Sequence, residues 1–345
     1  MQALTIHENG GPEVVRFEEI PDPKPGRGEV LVQVKSAALN HLDIWVRKGR
    51  PGANVKAPHV LGSDASGVVA EVGEGVSTVK VGEEVVLNPG VNSEETEWTL
   101  RGQHSECPTF GILGLSRPGT FAEKVAVPAI NVYPKPKHLG WNEAAAMPLA
   151  HLTAWRMLFS RAQFVPGETV LIHGIGGGVA LSALQFARKT AGEVIVTSSS
   201  EEKLARAKKL GAQHTINYKT TPDVAAAVLE ITGGRGVDVI IDAVGAATWP
   251  INFDAARKGG RIAHCGVTTG FEVTANIQKL YWKQLSVLGS TMGSQEEFRQ
   301  MLRAVEAAGI EPVIDSVEPL ERGREAMDRM EAGDQFGKIV LEVAL

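Results

Sequence analysis

The amino-acid sequence predicts an α/β protein in which a compact, partly barrel-like β domain accompanies a doubly wound parallel sheet. The first half carries short alternating apolar runs between Gly and Pro turns, which is typical of β structure. From Glu168 onward, buried strands alternate with amphipathic helices, as in a parallel sheet covered by helices on both faces. A glycine-rich turn joins the first strand and helix of this second part.

The elements follow in order along the chain. Strands are predicted in the first half at Glu29–Leu39, Ser66–Gly73, Gly82–Gly90 and Phe121–Pro128, followed by a helical stretch at Trp141–Phe159. The later strands are predicted at 168–173, 192–198, 214–218, 237–245, 260–266 and 285–291. The helices between them are predicted at 178–190, 201–211 and 223–233, with one more ending at Gly259.

The tail is expected to return to the first domain through a helix at 294–309 and a strand at 337–345. We therefore predict that residues 1–150 and 294–345 form one domain and that residues 151–293 form the other.

Composition excludes several classes of protein. The net charge is −5, and no basic block indicates a nucleic acid or an anionic membrane as partner. No apolar run is long enough to span a bilayer, and the first residues lack a signal-peptide pattern. Two cysteines, Cys107 and Cys265, cannot form a disulfide framework, so a cytoplasmic location is expected.

The glycine-rich turn has the spacing of a dinucleotide-binding motif. Gly174, Gly177 and Ala180 form a G-x-x-G-x-x-A pattern between a strand and a helix. Glycines let the backbone approach a pyrophosphate, and the helix N-terminus favours its charge. The alternative is a tight strand–helix turn without a ligand. The residues predicted to hold the cofactor here are Gly174, Gly176, Gly177, Gly178, Val179 and Ala180.

The end of the second strand of this part indicates the type of cofactor. An Asp or Glu that would bind an adenosine ribose is absent, and Ser198, Ser199 and Lys203 could bind a 2′-phosphate instead. NADPH is therefore favoured over NADH. The alternative for Ser200 is that it caps the following helix.

Several segments together resemble the medium-chain dehydrogenase/reductase superfamily. They are ALNHLDIWVRKG, SGVVAEVGEGV, VGEEVVLNPG, HGIGGGVA and GKIVL, and they extend over nearly the whole chain. The likeness is to the quinone oxidoreductase and alcohol dehydrogenase-like branch. It implies a GroES-like β domain built from both chain ends and a Rossmann domain between them.

The resemblance also implies where zinc-dependent relatives hold their catalytic metal. Those positions carry Asn40, Ser63–Asp64 and Leu149 here, so the thiolate and imidazole ligands that zinc prefers are missing. We therefore expect no zinc. A different metal site built from His41, Asp43, His59 and His151 is the alternative.

A lobe that carries four cysteines in many zinc-containing relatives corresponds here to Asn92–Pro108. Cys107 remains in it, while Ser93, Thr96 and Thr99 stand at the other places. One thiolate cannot hold structural zinc, so packing or hydrogen bonds must order this lobe.

The resemblance implies site residues as well. Asn40, Asp43 and Thr153 are expected near the nicotinamide. Asp64 is expected in the wall of the cleft. His41 and Lys338 match positions near the pyrophosphate, and Tyr218 accompanies Lys203 at a 2′-phosphate. The alternatives are that Asn40 and Asp43 tie down a turn, that Thr153 packs within a helix and that Lys338 is solvated.

Trp45 stands where quinone-reductase relatives often have tyrosine. An indole is a poor acid, so Trp45 fits an aromatic wall better than a proton donor. No general acid is identified, and His41, His59 and His151 are candidates by residue type alone.

The sequence thus favours a zinc-independent NADPH-dependent oxidoreductase that transfers hydride to quinones or α,β-unsaturated carbonyl compounds. Two alternatives stay open: a metal-using alcohol dehydrogenase with atypical ligands, and an NADPH-binding sensor with little turnover. The partners expected are a small-molecule substrate and a second copy of the chain. The short apolar strand at 285–291 would form the edge of a homodimer, with a tetramer as the alternative.

Overall fold

The structure, a computed structural model, describes residues 1–49, 56–92 and 94–343. The chain divides into two compact units, Met1–Leu152 with Met292–Leu345, and Thr153–Thr291. The predicted division lay at 150/151 and 293/294, two residues from each of these boundaries.

The first unit contains the early strands and helices of the chain. Its strands before residue 135 are β1 Gln2–Ile6, β2 Val15–Glu19, β3 Glu29–Ala38, β4 His59–Val60, β5 Asp64–Val72, β6 Glu84–Leu87, β7 Gly90–Asn92, β8 Phe110–Ile112, β9 Lys124–Pro128 and β10 Val132–Pro134. The helices that follow or interrupt them are α1 His41–Arg47, α2 Glu97–Leu100, α3 Trp141–Ala146 and α4 Pro148–Trp155.

The second unit alternates strands and helices. After a π-helical turn at Arg156–Arg161, its elements are β11 Thr169–Ile172, α5 Gly178–Lys189, β12 Glu193–Ser198, α6 Glu201–Lys209, β13 His214–Asn217, α7 Val224–Ile231, β14 Val237–Asp242, α8 Trp249–Ala255, β15 Ala256–His264, α9 Ile277–Trp282 and β16 Ser286–Gly289. The chain then re-enters the first unit with α10 Gln295–Ala308, β17 Ile314–Pro319, α11 Gly323–Ala332 and β18 Lys338–Glu342.

The main sheet of the first unit joins strands from both ends of the chain. Its order is β10-β6-β5-β3-β18-β17, and β9 also pairs with β3. The C-terminal strand β18 runs antiparallel to β3, and β3 runs antiparallel to β5. Apolar side chains of this sheet, including Val32, Val69 and Leu341, are buried in one core cluster. The first unit is the predicted GroES-like β domain.

The sheet of the second unit is parallel and has the order β13-β12-β11-β14-β15-β16. Numbered within the unit, this is the 3-2-1-4-5-6 order of a Rossmann fold, in which the order of the strands reverses between β11 and β14. Leu171, Ile195 and Ile240 form part of its buried core. The predicted Rossmann sheet is therefore confirmed.

One predicted element was wrong in its extent. The helix expected to end at Gly259 ends at Ala255, and β15 begins at the next residue. The sequence Gly259–Gly260 is unfavourable in a helix, and Ala256 already pairs with Val237 of β14. The strand therefore starts four residues earlier than the pattern predicted.

Over the described ranges, every helix is too short or too polar to cross a membrane.

Candidate functional site

The register of three strands brings Asn40, Asp64 and Lys338 together. Ala38 of β3 lies opposite Asp64 of β5 on one side and opposite Val340 of β18 on the other. Asn40 follows β3 by two residues, and Lys338 precedes Val340 by two residues on an antiparallel strand. Residues 298 positions apart in the sequence are therefore placed side by side by backbone pairing.

The carboxylate of Asp64 is surrounded by hydrogen-bond donors. Its Oδ2 accepts from Asn40 Nδ2 at 2.9 Å and from Lys338 Nζ at 3.0 Å, and its Oδ1 accepts from the backbone N–H of Leu149 at 2.8 Å. Lys338 Nζ also donates to Asn40 Oδ1 at 2.6 Å. Asp64 is 0% exposed, Asn40 7% and Lys338 5%, so this is a buried, charge-compensated cluster.

Asp43 lies beside this cluster in the first turn of α1. Its Oδ2 accepts a hydrogen bond from the backbone N–H of Asn40 at 2.7 Å, which caps the helix. Burial raises the pKa of Asp43 to about 7, with a smaller increase from the Asp64 charge, although the Asn40 N–H and Lys338 oppose it. Asp43 therefore does tie down the turn, and it is also a carboxyl that titrates near neutral pH.

The remaining positions implied for a metal are engaged elsewhere. Ser63 Oγ donates to the carbonyl of Leu113 at 2.8 Å, and a ring nitrogen of His59 lies 2.8 Å from the carbonyl oxygen of Gly114. His151 is buried in α4, and His41 is exposed at the start of α1. In residues 1–49, 56–92 and 94–343, no group of three or more His, Cys, Asp or Glu side chains could hold a metal ion.

Side-chain hydrogen bonds order the lobe that lacks its cysteines. Cys107 Sγ lies 3.4 Å from Thr96 Oγ1 and 3.2 Å from Thr109 Oγ1, and Thr96 and Thr99 cap the short helix α2 together. Ser93 lies outside the described residues. These contacts agree with the prediction that packing or hydrogen bonds order the lobe.

Two further predicted site residues have defined surroundings. Trp45 is half-buried in α1 of the first unit, and Thr153 is the buried first residue of the second unit. Their predicted roles beside a nicotinamide stay predictions.

The glycine-rich turn of the second unit leaves the start of α5 open to an anion. Gly174 and Gly176 have positive φ angles of 68° and 132°, which favour glycine. Gly177 has an ordinary φ of −77°, and a Cβ there would meet no neighbouring atom closer than 3.9 Å. The chain itself therefore does not require glycine at 177. Gly177 lies at the N-terminus of a twelve-residue helix, where free backbone N–H groups favour an anion, and its predicted contact with the cofactor stays a prediction.

The predicted 2′-phosphate residues lie at the ends of β12 and β13. Ser198 Oγ accepts from the backbone N–H of Ser200, and the backbone N–H of Tyr218 donates to the Ser198 carbonyl at 3.1 Å. Ser200 caps α6 through the Lys203 N–H at 3.3 Å, as the alternative for that serine stated. Ser199 and Lys203 are half-buried. Binding of a 2′-phosphate by Ser198, Ser199, Lys203 and Tyr218 stays a prediction.

Comparison with known proteins adds to this geometry. The model of the alcohol dehydrogenase GroES-like domain matches residues 26–137, and that of the zinc-binding dehydrogenase family matches residues 178–307. A zinc-type alcohol dehydrogenase-like protein of Schizosaccharomyces pombe is 38% identical over 94% of this chain and 93% of its own length. The chain belongs to the medium-chain dehydrogenase/reductase superfamily.

Other proteins of the superfamily are also similar to this chain along most of its length. The quinone oxidoreductase of Rattus norvegicus is 29% identical over 99% of this chain and 97% of its own, and the crotonyl-CoA carboxylase/reductase of Cereibacter sphaeroides is 31% identical over 92% and 81%. The crystal structure of an NAD-dependent alcohol dehydrogenase superposes with a TM-score of 0.96, at 45% identity and with full coverage of both chains. The protein is thus an oxidoreductase of this superfamily, whose members bind a nicotinamide cofactor.

Sequence analysis missed one group of polar residues in the second unit. His173 follows β11 directly, and Asp242 is the last residue of β14; both are buried. The sequence could have indicated this group, because a polar residue stands at the end of an otherwise apolar run in VLIH and in VIID. It also missed that Lys338 has Asn40 and Asp64 as partners.

Proposed function

We propose that this protein is a zinc-independent reductase that transfers hydride from NADPH to quinones or to α,β-unsaturated carbonyl compounds. The observation that carries the proposal is the hydrogen-bonding of Asp64. Its two carboxylate oxygens accept three hydrogen bonds from the chain, one of them from the ammonium group of Lys338.

This arrangement does not suit a zinc ion. A metal on Asp64 would have to displace these donors, and the Lys338 ammonium would repel a second cation at the same carboxylate. Zinc prefers imidazole nitrogen and thiolate sulfur as ligands, and neither Asn40 nor Leu149 can supply one. The donor set therefore supports chemistry that needs no Lewis acid.

Quinones and enones fit such a site because they delocalise the negative charge that develops on hydride addition. A few fixed hydrogen-bond donors then stabilise the transition state. Asn40, Asp43, Trp45, Asp64 and Thr153 are the proposed residues of the acceptor site. Asp43, with its pKa of about 7, is a candidate proton donor.

The cofactor assignment rests on the second unit. The proposed cradle for the pyrophosphate is the turn Gly174–Ala180, where Gly177 leaves space for a ligand. Ser199, Lys203 and Tyr218 are the proposed contacts of a 2′-phosphate, and His41 and Lys338 stay proposed near the pyrophosphate. When bound, the cofactor supplies the hydride, and the chain supplies orientation and electrostatics.

The names of relatives support an acceptor of this class and also an alternative. One relative is named quinone oxidoreductase and another crotonyl-CoA carboxylase/reductase, while several are named alcohol dehydrogenases. Alcohol oxidation with a metal is therefore the second candidate function.

One set of measurements tests both candidates. NADPH oxidation is followed with a panel of quinones and enones, and alcohol oxidation with NAD⁺ and NADP⁺, on protein whose metal content is measured. We expect quinone or enone turnover that survives a chelator. Stoichiometric zinc whose removal abolishes activity would overturn the proposal, and tight NADPH binding without turnover would indicate a sensor.

The preference for NADPH is tested by Ser199→Asp. A carboxylate at 199 would repel a 2′-phosphate, so we expect the ratio of NADPH to NADH affinity to fall at least tenfold. Glu202→Asp, an exposed position in the same segment, is the control and should leave the ratio unchanged. An unchanged ratio in Ser199→Asp would contradict the assignment.

Two further properties are proposed. A homodimer is supported by the exposed edge strand β16, and a cytoplasmic location by two free cysteines, Cys107 and Cys265.

A further inference from the structure

A buried chain of polar side chains crosses the parallel sheet at the point where its strand order reverses. His173 follows β11, Thr197 lies near the end of β12, and Asp242 ends β14, so all three lie at the carboxyl edge of the sheet. Asn252 of α8 completes the chain. Each of the four is at most 2% exposed. In open α/β sheets this edge is where ligands bind.

The hydrogen bonds of this chain connect the glycine-rich turn to Asp242. The backbone N–H of Gly174 lies 3.3 Å from Thr197 Oγ1, which lies 3.2 Å from His173 Nδ1. The other ring nitrogen, Nε2, is 2.9 Å from Asn252 Oδ1, and Asn252 Nδ2 donates to Asp242 Oδ2 at 2.6 Å.

The two ends of the chain restrict the directions of the bonds. The Gly174 N–H can only donate, so Thr197 Oγ1 accepts it, and the Thr197 hydroxyl proton remains available for His173 Nδ1. An ionised Asp242 can only accept, so Asn252 presents its NH₂ to it and its oxygen to His173. His173 must then carry a proton on Nε2.

The pKa directions agree with this assignment. Burial lowers the pKa of His173, which favours the neutral ring. Burial alone would raise the pKa of Asp242, but the neighbouring His264 and the hydrogen bonds from Asn252 and Thr248 outweigh it and lower the pKa. Asp242 is therefore ionised.

Asp242 also organises a second turn that contacts the first. Its Oδ1 accepts from the backbone N–H groups of Val244 and Gly245, at 2.8 and 3.3 Å. A Cβ at Gly174 would come within 3.0 Å of Val244 Cγ2, so the two turns are packed together. Both therefore depend on one carboxylate.

We propose that His173, Thr197, Asn252 and Asp242 are positioning residues that hold the glycine-rich turn in the conformation that receives the dinucleotide phosphates. They act through the backbone of Gly174 and through the Val244–Gly245 turn, without touching the cofactor. The proposal rests on dinucleotide binding by the second unit and is independent of the substrate.

The strand β14 offers a matched control for Asp242. Asp238, at the opposite end of the same strand, is also a buried carboxylate, held by Arg235, Arg257 and the Thr169 N–H. Asp242→Asn and Asp238→Asn remove the same charge from the same strand, and both are expected to lower the melting temperature. Only the first lies at the cofactor edge.

The experiment is a titration of each full-length variant with NADPH and with NADH, followed by fluorescence. We expect Asp242→Asn to raise both dissociation constants about tenfold, which corresponds to about 1.4 kcal/mol, and Asp238→Asn to leave them within about twofold. Turnover at saturating cofactor should be retained in both. Equal loss of affinity in the two variants, or none in Asp242→Asn, would overturn the positioning role.

A second pair of variants, with smaller changes, tests the proposal if the two Asp→Asn variants do not fold. Thr197→Val removes the hydroxyl at nearly constant volume, whereas Thr197→Ser retains it. We expect weakened dinucleotide binding in the first and near wild-type binding in the second. Identical affinities in the pair would refute the proposal, whereas wild-type protein that binds neither dinucleotide would refute the cofactor assignment itself.

Discussion

Lys338 shows how much a single residue depends on its buried partners. Its ammonium and the Asp64 carboxylate are 3.0 Å apart, with side chains 6% and 0% exposed. Removing one member of a buried ion pair leaves the other charge uncompensated, which is among the costliest changes that a fold meets.

We predict that Lys338→Met lowers the free energy of unfolding by about 3–5 kcal/mol, as measured by urea denaturation. The double variant Lys338→Met/Asp64→Asn should recover part of this loss because it removes the stranded charge. Lys48→Met is the control. Lys48 forms an ion pair with Glu331, but its side chain is 39% exposed, so its loss should lower the free energy of unfolding by at most about 1 kcal/mol. A double variant no more stable than the single one would contradict the charge argument.

The raised pKa of Asp43 makes a prediction about pH. Its folded pKa of about 7 exceeds the value of 3.8 for an ordinary Asp, so the folded state binds this proton more tightly than the unfolded chain. The resulting stability is present in full below pH 3.8 and is lost as the pH rises through 7.

As the pH rises from about 4 to about 7.5, the free energy of unfolding should therefore fall less in Asp43→Asn than in wild type. The difference between the two falls should reach up to about 4 kcal/mol. Urea unfolding of both proteins across this range measures the difference, since the other carboxyl groups are common to both. A constant difference at every pH would show that Asp43 titrates normally.

At the scale of elements, the glycine-rich turn contains glycines that are explained by two different physical reasons. Gly174 needs glycine for its backbone, since its φ is 68° and Val244 lies close. Gly177 has ordinary backbone angles and open space around it. Its requirement for glycine is therefore expected to come from the ligand.

We predict that Gly177→Ala raises the dissociation constant for NADPH at least fivefold while it changes the free energy of unfolding by less than about 1 kcal/mol. Gly174→Ala should destabilise the protein by about 1–2 kcal/mol because of its left-handed backbone. Thermal melts and NADPH titrations of the two variants distinguish these effects. Unchanged NADPH affinity in Gly177→Ala would contradict the proposed cradle.

The strands of the second unit were largely predictable because each is a short apolar run between turn residues. The helix before Gly259 was extended too far because its end depends on the pairing of Ala256 with Val237, a contact between distant residues. Helix α6 ended where the pattern indicated, because Ser200 and Gly211 are local signals.

At the scale of the whole molecule, the second unit exposes several large apolar side chains in its edge strand β16 and in the segment that precedes it. Phe271, Ile277, Tyr281 and Trp282 are 61–74% exposed, and Val287 of the edge strand β16 is 39% exposed. Exposed apolar side chains next to the free edge of a sheet favour association with a second copy.

We predict that the wild-type protein sediments at twice its chain mass and that Val287→Lys shifts it toward the monomer. Val81→Lys, at a position that is 62% exposed in the first unit, should leave the mass unchanged. Sedimentation equilibrium at several concentrations measures this. A wild-type monomer would contradict the prediction, and a tetramer would require a second interface.

The sequence by itself determined the superfamily, the Rossmann sheet and the glycine-rich turn, because each follows from local patterns of residue type and spacing. The tertiary structure decided which polar groups meet. The pairing of β3 with β5 and β18 places Lys338 on Asn40 and Asp64, and the switch in strand order places His173 near Asp242. Such contacts join residues far apart in the chain, and they depend on which distant strands pair, which the local pattern of one segment does not specify.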